Sequence, residues 1–189
     1  MNENVLMMRR AKAQLSNKWV NVAIGSLIYL VLMSIAGSTY LLELLVYGPL
    51  TFGYLLYLAC NIDTGVNNIN LLFKGFERFT DTLVAGLLYS IAVGVGLILL
   101  IVPGIIVACG LSMTFFIMVD DPNISGMDAL QQSWNMMKGQ KWNYFCLQFR
   151  FIGWILLSIL TCGIGFIFLE PYMVAASQNF YRKLRYGTF

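Results

Sequence analysis

The stretch that decides the fold is TLVAGLLYSIAVGVGLILLIVPGIIVACGLSMTFFIMV, residues 82–119, which contains no charged side chain. One membrane-spanning helix needs about 20 consecutive apolar residues, so this stretch is long enough for two. Pro103-Gly104 lies near its middle, and a proline followed by a glycine is typical of a turn. The stretch therefore predicts two membrane-spanning helices joined by a short connection.

The charged residues outside this stretch divide the chain into further apolar runs of similar length. We therefore expect one integral membrane domain over residues 1–189, an all-α polytopic membrane protein whose six transmembrane helices form three hairpins. The expected helices cover residues 19–37, 41–61, 81–101, 104–119, 142–161 and 165–184.

The composition supports a bilayer as the solvent of this chain. It is 59% hydrophobic and only 11% charged, whereas soluble domains are about 45–50% apolar and about 25% charged. A net charge of +3 is too small to indicate a nucleic-acid partner. The chain contains no histidine, and its four cysteines stand singly in apolar runs. No metal site, cofactor or catalytic residue is therefore expected, and the protein is predicted not to be an enzyme.

The lysines and arginines lie in alternate connecting segments. All twelve fall before the first helix, between the second and third, around the first part of the fifth, or at the end of the sixth. The three remaining connections contain none, so the positive-inside rule places both termini in the cytoplasm. A cleaved signal peptide is the disfavoured alternative, because the first apolar run is too long for one.

Each hairpin is preceded by a short segment with an apolar stripe at helical spacing. We call these three segments the stubs. Their stripes are Val5, Met8, Ala11, Leu15 and Trp19; Ile69, Leu72, Phe76 and Phe79; and Ile124, Met127, Leu130, Trp134 and Met137. Such stripes predict amphipathic helices in the cytoplasmic interface, with the apolar side toward the acyl chains. Pro49, Pro103 and Pro171 mark the returning helices, which leaves two interpretations: three weakly similar units, or convergent membrane patterning.

Two further patterns predict how the helices pack and where they meet the interface. Small residues recur every fourth position on the third and fourth helices, which favours close packing of that pair. Tryptophans near the basic segments are expected to anchor the cytoplasmic interface. The small residues are Gly86, Ser90, Gly94, Gly104, Ala108 and Ser112, and the anchors are Trp19, Trp134 and Trp142.

Five charged residues are candidates for function. Asp120 and Asp121 could bind a cation, but with Pro122 and the S-x-x-D pattern beginning at Ser125 they are better interpreted as a turn before a capped helix. The candidates within the membrane region are Glu43, Glu170 and Arg150. A carboxylate there could handle protons or cations, and the arginine could reach back to lipid phosphate or contact an anionic substrate.

Seven segments of the chain together resemble one family. They are the run Ala11…Leu15…Trp19, GPLTFG from Gly48, LFKGFERF from Leu72, IVPGII from Ile101, DDPNISGMDALQQSWNMMKGQKW from Asp120, FIGW from Phe151 and EPYMVAASQNFY from Glu170. In these the chain resembles the bacterial membrane family Domain of Unknown Function 975. The resemblance implies an integral protein of the bacterial inner membrane, distantly similar to the membrane domain of some glycerophosphodiester phosphodiesterases. It implies no mechanism, and Arg150 departs from the small polar residue expected before FIGW.

These observations leave three functional hypotheses. The first is a non-enzymatic accessory or structural protein that acts through membrane lipids, another membrane protein or self-association. The second is a small transporter or lipid-handling protein in which Glu43, Glu170 and Arg150 line a path. The third, an intramembrane enzyme that uses Asp120 and Asp121, is the least favoured because no catalytic motif accompanies them.

Overall fold

A computed structural model describes residues 3–16, 18–37, 40–161 and 163–187, and every regular element in these ranges is a helix, as predicted. The α-helices are α1 (Glu3–Leu15), α2 (Trp19–Ala36), α3 (Tyr40–Thr64), α4 (Phe79–Leu99), α5 (Ile101–Leu111), α6 (Thr114–Asp120), α7 (Gly126–Met136), α8 (Lys141–Phe149), α9 (Ile152–Leu160) and α10 (Ile164–Tyr186). A 3₁₀-helix, η1 (Ile69–Phe76), lies between α3 and α4.

Five segments are long and apolar enough to cross a membrane. They are Trp19–Ala36, Leu42–Thr64, Phe79–Leu99, Ile101–Asp120 and Lys141–Leu160. The sixth expected helix is present as α10, with 23 residues, but it carries acidic, amide and basic side chains along its length. Among the described residues, the other five expected helices are long and apolar enough to span a membrane. Helix α10 is long enough but is not apolar enough to be counted with them.

Two of the expected helices are broken where the sequence indicated continuity. The fourth is split into α5 and α6 at Ser112 and Met113, where the Met113 N–H donates to the Ser133 hydroxyl, at 3.2 Å. The fifth is split into α8 and α9 at Arg150 and Phe151, where the Phe151 N–H donates to the Gln148 carbonyl three residues back. Both breaks thus replace regular i→i−4 backbone bonds by other donors and acceptors.

The three stubs close a cyclic pattern of contacts. The η1 stub packs against α3, the α7 stub packs against α6, and the α1 stub packs against α10. Each stub therefore covers the returning helix of the unit before it, and the first stub closes the ring onto the last helix. The approach of η1 to α3 is close: a Cβ on Gly75 would lie 1.9 Å from the Pro49 carbonyl oxygen, so only glycine fits there.

The apolar faces of the first and third stubs turn mostly toward protein, which corrects their expected placement against acyl chains, whereas Ile69, Phe76 and Phe79 of the second stub's stripe are exposed. Ala11 and Leu15 of α1 are fully buried, as is Ala129 of α7. The predicted stripe residue Met127 is instead 63% exposed, because the buried face of α7 is rotated toward Ala129 and Ser133. Helix α7 begins as predicted: the Ser125 hydroxyl accepts from the Asp128 N–H, at 3.2 Å, and caps the helix.

Basic side chains connect the carboxyl ends of α3, α6 and α10 to one another and to the segment before α2. The Lys18 ammonium donates to the carbonyls of Asn61 and Ile62 at the end of α3, at 2.7 and 2.8 Å. Arg182 pairs with Asp63, and the Arg185 Nε lies 3.7 Å from the Asp120 carboxylate. We call these three helix ends, with the stubs around them, the basic layer.

The small residues of α4 and α5 pack in a register different from the expected one. Gly86 faces α3, where its Cβ would lie 2.8 Å from the Gly48 Cα, and Gly94 has no neighbour within 4 Å of a Cβ. The close approach of α4 to α5 uses Gly96, whose Cβ would lie 2.9 Å from the Gly104 Cα. Ser90 and Ser112 bond to carbonyls of their own helical segments, and Ala108 is half-buried.

Candidate functional site

A cavity of about 210 Å³ lies inside the bundle between α3, α4, the α5–α6 pair, α8 and α10. Its wall is more polar than the apolar composition of the chain suggests, since it carries tyrosine, serine, threonine, glutamine and glutamate side chains. The lining residues are Tyr47, Thr51, Leu55, Tyr89, Leu111, Ser112, Phe115, Phe116, Tyr144, Gln148, Glu170, Met173, Val174 and Ser177. We call it the Glu170 cavity.

Among the described residues, Glu170 is the one charged side chain in the wall of the Glu170 cavity, and no lysine or arginine accompanies it there. It sits in the first half of α10, directly before Pro171. Proline has no N–H to donate to the helical carbonyl four residues earlier, so this part of α10 leaves the Ile167 carbonyl without its usual backbone donor. A carboxylate surrounded by protein and lipid needs a proton or a positive partner, and the cavity wall supplies no cation.

A hydrogen-bonded group links α8 to α10 beside this carboxylate. The Gln148 Nε2 donates to the Tyr144 hydroxyl at 2.7 Å and to the Ser177 hydroxyl at 3.2 Å, and those two hydroxyls lie 3.3 Å apart. The Gln148 Oε1 is buried and has no hydrogen-bond donor among the described residues. Gln148 thus holds a buried acceptor that the described residues leave unused, and such an acceptor costs about 1–3 kcal/mol.

Aromatic rings form the wall on the α3 and α4 side. The Tyr47 ring stacks near the Tyr89 ring with centroids 6.3 Å apart, and it meets the Phe115 ring edge-on at 6.2 Å. The faces of such rings attract cations, and the attraction is stronger where water is excluded. One carboxylate and several aromatic rings in the same wall together favour a positively charged organic ligand over an anion.

A second cavity, of about 270 Å³, lies between the Glu170 cavity and the basic layer. It is bounded by α3, α6 and α10, and its wall includes Asp63, Asp120 and Arg182. Leu55 and Phe116 line both cavities. These two apolar side chains are therefore the partition between the Glu170 cavity and the charged end of the bundle.

The partition is held by contacts of Phe116. Its ring stacks on the Tyr181 ring, with centroids 5.8 Å apart, and the Tyr181 hydroxyl donates to the Asp120 carboxylate at 2.8 Å. The Tyr186 hydroxyl donates to the same carboxylate oxygen, also at 2.8 Å. This hydrogen bond stabilises the protonated phenol and so raises the pKa of Tyr186, and burial adds to the shift.

The structure separates the five predicted charged candidates. Glu170 alone lines the Glu170 cavity. Glu43 is half-buried in the first turn of α3, and Arg150 is exposed at the junction of α8 and α9, so neither lines the same cavity as Glu170. Asp120 bonds to α10, whereas Asp121 accepts from the Asn123 N–H at 3.1 Å, which supports the turn interpretation.

The three tryptophans occupy different environments. Trp19 opens α2 and is half-buried, and Trp142 lies at the start of α8 with 71% of its surface exposed. Trp134 instead packs within the protein, since a Cβ on Gly110 would lie 2.6 Å from its ring. The Lys141 ammonium lies 3.1 Å from the Trp134 ring centre, so this ring serves a cation–π contact rather than an open interface.

Most residues of the Glu170 cavity were not identified from the sequence. One signal was present: Glu170, Met173, Val174 and Ser177 follow helical spacing on α10 and share one face. Tyr144 and Gln148 are likewise four residues apart on α8. Tyr47, Tyr89 and Phe116 could not have been found this way, because nothing local in the sequence brings α3, α4 and α6 to one point.

Comparison with known proteins gives one match. The model of a family described as a protein of unknown function (DUF975) matches residues 90–187, which include α5 through α10 and most of the Glu170 cavity. No curated protein and no solved structure matches the chain.

Proposed function

The chain belongs to the DUF975 family of proteins of unknown function, and from that premise we propose that it is a non-enzymatic membrane protein that binds and moves a small organic cation through the Glu170 cavity. The observation that carries this proposal is an acidic side chain with no cationic partner in a wall of aromatic rings. An alkylammonium ion satisfies the carboxylate and the ring faces at once. Gln148 Oε1 is buried in the ligand-free protein, and it accepts from an N–H or O–H group of the ligand once the amide turns toward the cavity.

The topology that serves this function has six membrane crossings in three hairpins, with α10 as the sixth. The polar residues of α10 fit such a crossing because Ser177, Gln178, Asn179 and Tyr181 are all at least nine-tenths buried in the bundle and so avoid lipid. The basic layer then faces the cytoplasm of a bacterial cell, with both termini on that side.

A proton can replace the organic cation at Glu170, and this competition allows the two to be exchanged. The Glu170 carboxylate can hold a proton or pair with an organic cation, and one negative charge serves only one of them at a time. Entry from the basic layer requires Leu55 and Phe116 to move, because they separate the two cavities. The protein therefore acts as a proton–cation exchanger of the kind in which one carboxylate serves both ions.

Binding is tested with choline and its uncharged carbon isostere, by calorimetry on purified protein in detergent. We expect choline to bind, the isostere to bind at least about tenfold more weakly, and Glu170→Gln to lose choline binding. Glu43→Gln is the matched control, because it removes the same charge outside the Glu170 cavity. Equal binding of the two ligands, or equal losses in the two variants, would exclude the proposal.

Orientation is tested with single cysteines in a cysteine-free background. Thr161 and Ser16 are both exposed, and they lie at opposite ends of the proposed topology. An impermeant thiol reagent added to intact cells should label Thr161→Cys and should label Ser16→Cys only after lysis. The reverse order of labelling would overturn the proposed orientation.

The accessory role is a second candidate, and one surface favours it. Phe73, Phe76 and Phe79 of the η1 region are 48%, 40% and 41% exposed, although the other stubs turn their apolar faces inward. A photo-crosslinking residue at Phe73 should then capture one reproducible membrane protein, while the same residue at exposed Gln131 should not. Capture at Phe73 together with no choline binding would favour this candidate over the exchanger.

A further inference from the structure

A groove on the side of the bundle shares no lining residue with the Glu170 cavity. It has a volume of about 350 Å³ and is formed by α1, the first residue of α2, α9 and the first half of α10. This volume falls within the range of about 300–1,000 Å³ that is typical of ligand pockets. Its lining residues are Lys12, Trp19, Trp154, Leu157, Ser158, Thr161, Gly165, Phe168, Leu169 and Tyr172.

Apolar side chains form most of the groove. Trp154 and Leu157 of α9 stand on one side, and Phe168 of α10 stands on the other. The Trp19 ring lies 6.3 Å from the Phe168 ring and closes the floor between α2 and α10. Ser158 adds little polarity, because its hydroxyl donates to the Trp154 carbonyl of its own helix at 2.8 Å.

Positive charge is confined to the α1 side of this groove. Lys12 is exposed and, in the part of the chain that the structure describes, is the one charged residue that lines it. Arg9 and Arg10 stand on the same helix and are also exposed, so α1 presents three cations around that end. Trp19 lines the same groove, and tryptophan is enriched where a bilayer changes from headgroups to acyl chains.

We propose that this groove is a binding site for one anionic phospholipid, with its phosphate on Lys12 and one acyl chain between α9 and α10. The groove matches such a lipid in the order of its groups. Lys12 lies in the basic layer, where we place the headgroups, and the apolar side chains of α9 and α10 form the rest of the groove. A bound chain would also cover Trp154 and Leu157, which are 55% and 51% exposed.

A second groove shows the same combination of groups but with its cation already occupied. It is about 290 Å³, lies between α5 and α8, and includes Lys141, Trp142 and Phe145. The Lys141 ammonium stacks on the Trp134 ring at 3.1 Å. Lys12 has no such ring beneath it among the described cation–π contacts, so the first groove is the one with a cation free for phosphate.

The test is native mass spectrometry of the full chain in detergent, titrated with phosphatidylglycerol or phosphatidylcholine. We expect one phosphatidylglycerol to be retained about tenfold more strongly than phosphatidylcholine, and Lys12→Gln to remove that preference. Arg9→Gln is the charge-matched control and should keep most of it. Equal retention of the two lipids by the unmodified protein, or equal effects of Lys12→Gln and Arg9→Gln, would overturn the proposal.

The acyl-chain part is tested separately by filling the groove. Leu157→Trp places a larger side chain in it and should lower retention of phosphatidylglycerol, whereas Leu156→Trp changes an exposed residue of the same helix outside the groove. Equal retention by these two variants would contradict an acyl chain at this position. Choline binding should be unchanged in both, which separates this site from the Glu170 cavity.

Discussion

The hydroxyl of Tyr181 donates a 2.8 Å hydrogen bond to the carboxylate of Asp120 and thereby joins α10 to the end of α6. The two residues are 61 positions apart in the chain. Because the Tyr181 ring also stacks on Phe116, this bond fixes the side chain that separates the Glu170 cavity from the basic layer. Asp120, the last residue of α6, therefore contributes to the position of α10 in the bundle.

Removing the Asp120 carboxylate should destabilise the protein. Asp120→Ala leaves two tyrosine hydroxyls without their acceptor and removes the ion pair with Arg185, and we expect the free energy of unfolding to fall by about 1–3 kcal/mol. Asp121→Ala is the neighbouring control, since Asp121 bonds only to the nearby Asn123 N–H. Denaturation followed by circular dichroism in detergent measures both, and equal losses would contradict this account of Asp120.

Removing the ring of Phe116 should open the partition between the two cavities. In a cysteine-free background, the reaction of Ser112→Cys with a water-soluble thiol reagent should become several-fold faster when Phe116→Ala is added, because water can then reach the Glu170 cavity from the basic layer. Phe149→Ala, at a residue that is 60% exposed and outside both cavities, should leave the rate unchanged. An unchanged rate with Phe116→Ala would mean that the cavity opens elsewhere.

A methyl group at Gly86 should separate α4 from α3. Its Cβ would lie 2.8 Å from the Gly48 Cα, so backbone must shift, and we expect Gly86→Ala to cost about 1–3 kcal/mol of unfolding free energy. Gly94→Ala on the same helix meets open space and should be neutral or stabilising by up to about 1 kcal/mol. Thermal unfolding of the two variants in detergent compares them, and a larger loss at Gly94 would refute the observed register.

The Ser133 hydroxyl should be required at the break between α5 and α6. It donates to the Gly110 carbonyl at 3.0 Å and accepts from the Met113 N–H at 3.2 Å, and it is fully buried. Ser133→Ala leaves both backbone groups unsatisfied and should lower the unfolding free energy by about 1–3 kcal/mol. Exposed Gln132→Ala is the control and should change it by less than about 0.5 kcal/mol.

Helix positions could be predicted from the sequence because they depend on local composition. The helices begin and end within three residues of the expected boundaries, since charged residues stop each apolar run and lipid requires the backbone to satisfy its own hydrogen bonds. The breaks at Met113 and Arg150 could not be predicted this way. At Met113 the alternative acceptor comes from Ser133, a residue 20 positions away.

The candidate site was predicted only in part for the same reason. Glu170 was recognisable, because a carboxylate in an apolar run is costly and therefore conspicuous. Glu43 and Arg150 have the same local signal, yet neither lines the Glu170 cavity. Only the packing of α10 against α3 and α8 distinguishes the three, since a sequence gives the depth of a charge but not the side of the helix that meets the interior.

The sequence by itself determined that this chain is helical, that its apolar composition suits a lipid bilayer and that its lysines and arginines lie in alternate segments. Those properties follow from composition and spacing, which act over one or two helical turns. The tertiary structure alone decided that each stub covers the preceding returning helix, that the small-residue contact of α4 and α5 centres on Gly96 and Gly104, and that tyrosines surround Glu170. These depend on the rotation and crossing of helices, which are set by contacts between residues far apart in the chain.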